Sequence, residues 1–483
     1  MQTYRTIGVS VLAWTAAAAL ALGSVTAEAQ VRSGPRPRPA QPTPPPAAKP
    51  RPTPSELIGL TLLAARPGEQ LPTGRGIAVG HVEGPPGSYI PDMADGRYDG
   101  LMVRGRSGPS VPSGHASATG ALIYGPDGLA PGVTDIDFYA SDHWLGEGYL
   151  RAASTLGPVE DDRRLFNHSW ISEGHPRLMQ VLRRVDYLAD ARDVVMVVGV
   201  NNGRESTVPV MLASAYNVIS VGHWTGNSSG GFTGVDGVGR CKPEIVAPGG
   251  KTSFATAVVT ASAARLLEMA DRLPPESGAS HSEVIKVVLM AGAVKPSNWQ
   301  ALPGKALDEH LGAGRLRVNR SYDVLVAGPV DPGQTGSLKG WDFASLEAES
   351  SAAYVIDSTE PIRQMSVMLV WHRRIDGRMT VNLATGQPAW NTHARLANLD
   401  LQVDRVGDAE QGDQTLAVCD GQIDNIEHAY LRELPAGQYR LSVRRTDELS
   451  DPWDYAIAWW AERLPKPRVA APNESSRVSP VAR

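Results

Sequence analysis

Cysteine is scarce in this chain of 483 residues, which contains only Cys241 and Cys419. So few cysteines exclude a small fold held together by disulfide bonds, and no group of cysteines and histidines has the spacing of a zinc site. In an oxidising compartment the two thiols could pair, but their wide separation in the sequence favours two buried free thiols. The fold therefore depends on an apolar core, and hydrophobic residues make up 42% of the chain, which is enough to form one.

Long runs of lysine and arginine are also absent, and the formal net charge is only −5. A nucleic-acid-binding surface requires clustered positive charge. The composition therefore excludes nucleic acid as an expected partner.

Long apolar runs are lacking except near the N-terminus, where one extends from about residue 7 to 22. Arg5 precedes this run, and the sequence AEA follows it at 27–29. A basic residue, a short apolar segment and an A-x-A site are typical of a signal peptide, whereas a membrane span needs about 20 apolar residues. We therefore predict a signal peptide over residues 1–29, secretion to the extracellular space or the periplasm, and no membrane contact after cleavage. An uncleaved membrane anchor is the alternative.

Composition divides the remaining chain into four segments. Residues 30–56 are rich in proline, which predicts an extended linker, and the polar composition of residues 464–483 predicts a disordered tail. Residues 57–330 alternate short apolar runs with segments of helical periodicity, which predicts an α/β domain with a mostly parallel sheet and helices on both faces. Residues 338–463 instead alternate apolar and polar positions, which is typical of an antiparallel β-sandwich.

Ser253 lies in the sequence GGKTSFATAVV, between a glycine turn and a predicted helix of small residues. The N-terminus of a helix favours negative charge because its backbone N–H groups point outward. This is where a serine nucleophile would find support for an oxyanion. Considered alone, however, a serine at such a position is more often a helix cap.

Three further polar residues lie where predicted strands end or helices begin. Glu83 ends the predicted strand 76–83, His115 lies near the start of a small-residue helix, and Asn201 or Asn202 follows the strand 194–200. A serine nucleophile requires a base, an acid that orients the base, and donors for the oxyanion. The order acid, histidine, serine is one of the known chain orders of such a triad.

These motifs resemble the subtilisin-like serine protease (subtilase) family over about residues 57–327. TSFATA resembles the motif around its serine, SGHASATG the motif around its histidine, and VVGVNNG the stretch with its oxyanion asparagine; FNHSWIS is similar to its substrate-pairing strand. The resemblance implies a subtilisin-like fold, a protein or peptide substrate, a monomer and no required cofactor. It also implies site roles for the following residues: Ser253 as nucleophile, His115 as base, Glu83 as acid, Asn201 before Asn202 as oxyanion donor, and Ser169 and Trp170 as substrate contacts.

Residues 338–463 resemble the jelly-roll domains that follow many bacterial subtilase domains. Asp400, Asp424 and Glu427 lie near predicted turns of this domain. Carboxylates near turns can bind Ca²⁺, and we consider these three as candidates for a structural calcium site. Solvated turn residues are the equally consistent interpretation.

Several positions depart from the family pattern. The acid is usually aspartate, with Asp92 as a competing candidate here, and Lys251 replaces a usual glycine on a shortened loop before Ser253. These departures motivate an alternative hypothesis, in which the domain is catalytically degenerate and acts as a scaffold or binding protein. A third hypothesis, an esterase with Ser228 in the sequence GNSSG, is disfavoured because a loop rather than a helix follows the motif.

Overall fold

The computed structural model describes residues 51–465, except for 69, 302–303, 382–385, 409 and 411. The predicted signal peptide, most of the predicted linker and nearly all of the predicted tail lie outside these residues. None of the described helices is long and apolar enough to cross a membrane. The described residues from Pro52 onward belong to one compact unit.

Helices are concentrated in the first two thirds of the described chain. In chain order they are α1 (Pro54–Leu57), α2 (Leu60–Ala64), α3 (Gly114–Tyr124), α4 (Ser141–His143), α5 (Leu178–Arg192), α6 (Thr252–Ala270), α7 (Ser282–Ala291) and α8 (Val318–Val326). Helix α1 begins inside the predicted linker, because the side chain of Thr53 caps its first turn and Glu56 completes a capping box.

Strands occur throughout and lengthen toward the C-terminus. In chain order they are β1 (Ala78–Glu83), β2 (Met102–Gly105), β3 (Asp135–Ala140), β4 (Leu165–His168), β5 (Val195–Gly199), β6 (Ile219–His223), β7 (Gly231–Thr233), β8 (Arg240–Lys242), β9 (Ile245–Ala247), β10 (Thr335–Gly336), β11 (Lys339–Leu346), β12 (Ser351–Ser358), β13 (Ile362–Trp371), β14 (Arg374–Val381), β15 (Pro388–Arg395), β16 (Leu399–Arg405), β17 (Gln414–Cys419), β18 (Ile426–Leu434), β19 (Gly437–Arg445) and β20 (Trp453–Arg463).

The first part of the chain, residues 54–326, is here called the α/β region. Its seven-stranded parallel sheet has the order β2-β3-β1-β4-β5-β6-β9. Strands β3, β4 and β5 are almost entirely buried, as strands covered by helices on both faces must be. The predicted α/β fold class is thus confirmed. The predicted strands 76–83 and 194–200 correspond to β1 and β5, with bounds that differ by at most two residues, whereas β2 was not predicted.

The second part, residues 335–463, is here called the β-region. Two larger sheets form its core, with the orders β10-β12-β19-β16-β17 and β11-β20-β13-β18, and β14 and β15 form a separate two-stranded sheet. The inward residues of both sheets form one apolar core that contains Tyr354, Trp371, Leu401, Leu441 and Trp459. The period-2 alternation predicted this antiparallel sandwich, while its assignment as a jelly roll stays a prediction.

Helix α7 is enclosed between the two regions. Each of its residues, Ser282–Ala291, is buried, and it packs on β13 and β20 of the β-region. Its apolar side chains share one core with Trp341, Met368 and Ala458 of the β-region. The β-region therefore covers a face of the α/β region that would otherwise expose apolar surface.

Candidate active site

Three polar side chains converge at the carboxyl end of the parallel sheet. Glu83 is the last residue of β1, which lies between β3 and β4 in the sheet. His115 is the second residue of α3, whose N-cap Ser113 accepts a hydrogen bond from the Ala116 N–H. Ser253 is the second residue of α6. The carboxyl edge of an open parallel sheet is where such folds bring site residues together.

Glu83 and His115 form a short ionic hydrogen bond. The Oε2 atom of Glu83 lies 2.6 Å from His115 Nδ1, and Glu83 is buried whereas the His115 side chain is 41% exposed. Burial alone would raise the pKa of Glu83, but hydrogen bonds from His115 and His81 outweigh burial and lower it to about 2. The same bond to Glu83 raises the pKa of His115. Glu83 is therefore ionised and holds the Nδ1 proton of His115.

A buried polar network fixes the other oxygen of Glu83. Its Oε1 atom lies 2.9 Å from His81 Nε2 and accepts a hydrogen bond of 2.9 Å from Thr119 Oγ1, and His81 Nδ1 lies 2.8 Å from Tyr124 Oη. Because an ionised carboxylate only accepts, His81 donates from Nε2. The sequence analysis missed this second histidine. The available signal was the spacing of His81 and Glu83, since residues two apart on a strand share a face.

Ser253 does not cap its helix. Lys251 occupies the N-cap of α6, so Ser253 lies inside the first turn, where its own N–H has no acceptor in the described part of the chain. Ser253 and His115 line the same cavity. Within the described residues, no hydrogen bond joins Ser253 Oγ to His115. Ser253 and His115 thus face one cavity without a direct hydrogen bond.

The two candidate oxyanion asparagines have different surroundings. Asn202 lines the cavity with Ser253, and its Oδ1 accepts hydrogen bonds from the Thr252 N–H at 2.9 Å and the Thr252 hydroxyl at 3.3 Å. Because these bonds use only Oδ1, the side-chain N–H₂ group of Asn202 stays available to donate a hydrogen bond. Asn201 instead directs its amide to Glu173 at 3.5 Å. Sequence pattern could not decide between two adjacent asparagines, because a turn after a strand has no fixed register.

Ser169 and Trp170, predicted to contact substrate, line the same cavity. Ser169 Oγ donates to the backbone carbonyl of Ser253 at 3.1 Å and accepts from Asn167. Ser169 therefore also anchors the first turn of α6. Trp170 is half-buried and its indole N–H donates to His168.

Lys251 is accommodated without backbone strain. Its φ is −144°, an extended conformation that any residue adopts, so a glycine is not required. The side chain is exposed at the cavity, and its charge opposes protonation of His115. Lys251 thus adds a positive charge to the lining of the cavity and does not distort the backbone there.

The competing residues lie elsewhere. Asp92 is exposed and its Oδ1 accepts from the Ala94 N–H, which leaves Glu83 as the acid bonded to His115. Ser228 is fully buried and accepts from the His223 N–H, in a loop that no helix follows. The strand, sharp turn and helix required around an esterase nucleophile are therefore missing from this described segment.

The three calcium candidates, Asp400, Asp424 and Glu427, do not form a shared site within the described residues. Asp424 accepts from the Cys241 N–H and Glu427 from the Gly421 N–H, and burial raises the pKa of Asp400 and Asp424 and that of Glu427 to about 9. Within the described residues, the groups that could share a metal ion do not include these three. Calcium binding stays a prediction. Cys241 and Cys419 are both unpaired.

Comparisons with known proteins find a family similarity in the first part of the chain. A model of the subtilase family matches residues 113–314, a segment that includes His115, Asn201, Asn202 and Ser253 and begins after Glu83. No curated protein matches the chain. A solved structure described as proteases from Pseudoalteromonas arctica is 13% identical, with a TM-score of 0.32, and the match covers 53% of this chain and 92% of that one. Residues 113–314 are thus similar to the subtilase family.

Proposed function

We propose that the protein is a secreted serine endopeptidase that hydrolyses peptide bonds through an acyl-enzyme on Ser253. The observation that carries this proposal is the bond of 2.6 Å between buried Glu83 and His115, whose ring lines one cavity with Ser253 at the start of α6. This arrangement supplies a nucleophile, a base and an orienting acid in one place.

The reaction begins when the Ser253 hydroxyl turns toward the free Nε2 of His115. His115 takes the hydroxyl proton while Ser253 Oγ bonds to the substrate carbonyl carbon, and Glu83 stabilises the imidazolium that forms. The Ser253 N–H and the Asn202 amide donate to the developing oxyanion. His115 then protonates the leaving amine, and water, deprotonated by the same histidine, releases the acyl group from Ser253.

Labelling of the protein with a fluorophosphonate probe tests this proposal directly. Such a probe forms a covalent bond only with an activated serine, so we expect it to label Ser253 in the folded protein, as identified by peptide mass spectrometry. Casein should be cleaved by the same preparation. A folded protein that neither labels nor cleaves, like its Ser253→Ala variant, would contradict the proposal.

A catalytically degenerate scaffold or binding protein is the second candidate. The observation that favours it is the lack of a hydrogen bond between Ser253 Oγ and His115 within the described residues. Catalytic hydrogen bonds are often long or misaligned before substrate binds, so we rank this candidate second. It predicts that peptides bind in the cavity and are recovered intact, which mass spectrometry of the bound material would show.

The two asparagines provide a sharper test of the oxyanion assignment. We expect Asn202→Ala to lower kcat by about 100- to 1,000-fold, as loss of one oxyanion donor does in related chemistry. Asn201→Ala is the matched control and should retain kcat within about threefold, because the amide of Asn201 faces Glu173. The measurement is kcat on a peptide substrate, with circular dichroism of both variants. An equal loss in the two variants would contradict the assignment to Asn202.

A further inference from the structure

A second cluster of ionisable side chains lies away from the cavity, where the α/β region meets the β-region. Asp190 comes from the last turn of α5, Glu283 from the first turn of α7, and His372 from the residue after β13. One ligand atom of each lies within 4.8 Å of those of the other two. Three segments distant in sequence thus direct imidazole and carboxylate groups to one point.

His372 is the unusual member of this cluster. It is only 2% exposed, and neither ring nitrogen has a hydrogen-bond partner within the described residues. Its Nδ1 atom lies 3.0 Å from Glu283 Oε1, but the alignment does not make a hydrogen bond. A buried polar nitrogen without a partner is destabilising, so a ligand that bound this ring would stabilise the folded chain.

The neighbouring cations do not fill that role. Arg374 pairs with Asp454 at 2.8 Å, and Lys286 pairs with Glu244 at 3.0 Å. Asp190 and Glu283 therefore form no ion pair with lysine or arginine within the described part of the chain, although Asp190 accepts a backbone hydrogen bond from Ile375 and feels the charge of Arg374.

We propose that Asp190, Glu283 and His372 bind one divalent transition-metal ion, with Zn²⁺ as the best match, and that this ion fastens the β-region to the α/β region. Imidazole with carboxylates is a donor set that zinc accepts, whereas calcium takes oxygen ligands. Donors around tetrahedral zinc lie about 3.3 Å apart, so rotation of the side chains must close the cluster slightly. His281 and Asp193 lie beside this cluster. Their atoms Nδ1 and Oδ1 are 2.8 Å apart, and together with Glu283 they form a second group that could hold a metal ion.

Zinc content of the full chain, produced without a histidine tag, tests this inference independently of peptide hydrolysis. After treatment with EDTA, addition of ZnCl₂ and gel filtration, we expect one zinc per chain by elemental mass spectrometry. We also expect the unfolding temperature to rise by several degrees, since a ligand that binds only the folded state stabilises it.

Glu283→Gln is the decisive variant, because glutamine has the size of a neutral glutamic acid but is a poor zinc ligand. It should fold, and it should lose both the bound zinc and the zinc-dependent rise in unfolding temperature. His393→Asn changes an exposed histidine and should retain both. The proposal is overturned if the wild-type chain retains no zinc, or if Glu283→Gln retains as much as the wild type. Zinc lost in His281→Asn but kept in His372→Asn would also overturn this choice of ligands.

Discussion

Replacing Ser253 by alanine is expected to lower kcat for peptide hydrolysis by about a million-fold, the size of loss seen when a catalytic serine is removed. The unfolding temperature should stay nearly unchanged. Ser253 Oγ makes no hydrogen bond within the described residues, so its removal leaves no partner unsatisfied. The measurement is kcat on a peptide substrate together with thermal unfolding of the same preparation.

Ser262→Ala is the matched control for this variant. Ser262 lies on the same helix, α6, and its hydroxyl donates to the Val258 carbonyl, away from the cavity. It should keep kcat while losing a little stability. If Ser253→Ala hydrolysed the substrate at the wild-type rate, Ser253 would not be the nucleophile, and the acyl-enzyme mechanism would have to be abandoned.

The second large effect is expected for Glu83→Gln, with a fall in kcat of about 10,000-fold, as for the equivalent acid-to-amide change in a serine protease. The carboxylate accepts from both His115 and His81, whereas an amide offers only one acceptor oxygen. One histidine must therefore change its tautomer or lose its partner. A proton moved to Nε2 of His115 would prevent that nitrogen from taking the Ser253 proton.

The rate should be measured against pH, with Asp92→Asn as the control. Asp92 is the competing acid from the sequence, and it is exposed, so its amide variant should show wild-type kcat at every pH. Glu83→Gln should also lower the pKa of His115, because the bond to Glu83 is what raises it; histidine NMR measures this shift. Activity within tenfold of the wild type would exclude Glu83 as the orienting acid.

The sequence predicted the positions of the parallel strands because buried strands are nearly continuous apolar runs. Glu83 and His115 could be placed for the same reason, since each adjoins an element with clear boundaries. The roles of Asn201 and Asn202 could not be separated, because a turn has no periodicity that fixes which side chain faces the cavity. His81 was missed although its position two residues before Glu83 places both side chains on one face of β1.

The contact between the two regions was harder to predict. The apolar residues of α7 do not indicate which part of the chain covers them. Glu283 and Lys286 also lie on this helix, and a charged residue in a predicted helix is normally assigned to a solvated face. Their burial depends on partners far along the chain, including Glu244 for Lys286, and local periodicity carries no information about such pairs.

The burial of α7 has a consequence for the order of folding. Strands β13 and β20 cover the side of α7 that faces the β-region, and β20 is the last described strand. A chain that ended after α8 would leave the side of this apolar helix that packs on β13 and β20 against water. We therefore expect the α/β region to reach its final packing only after β20 has been synthesised.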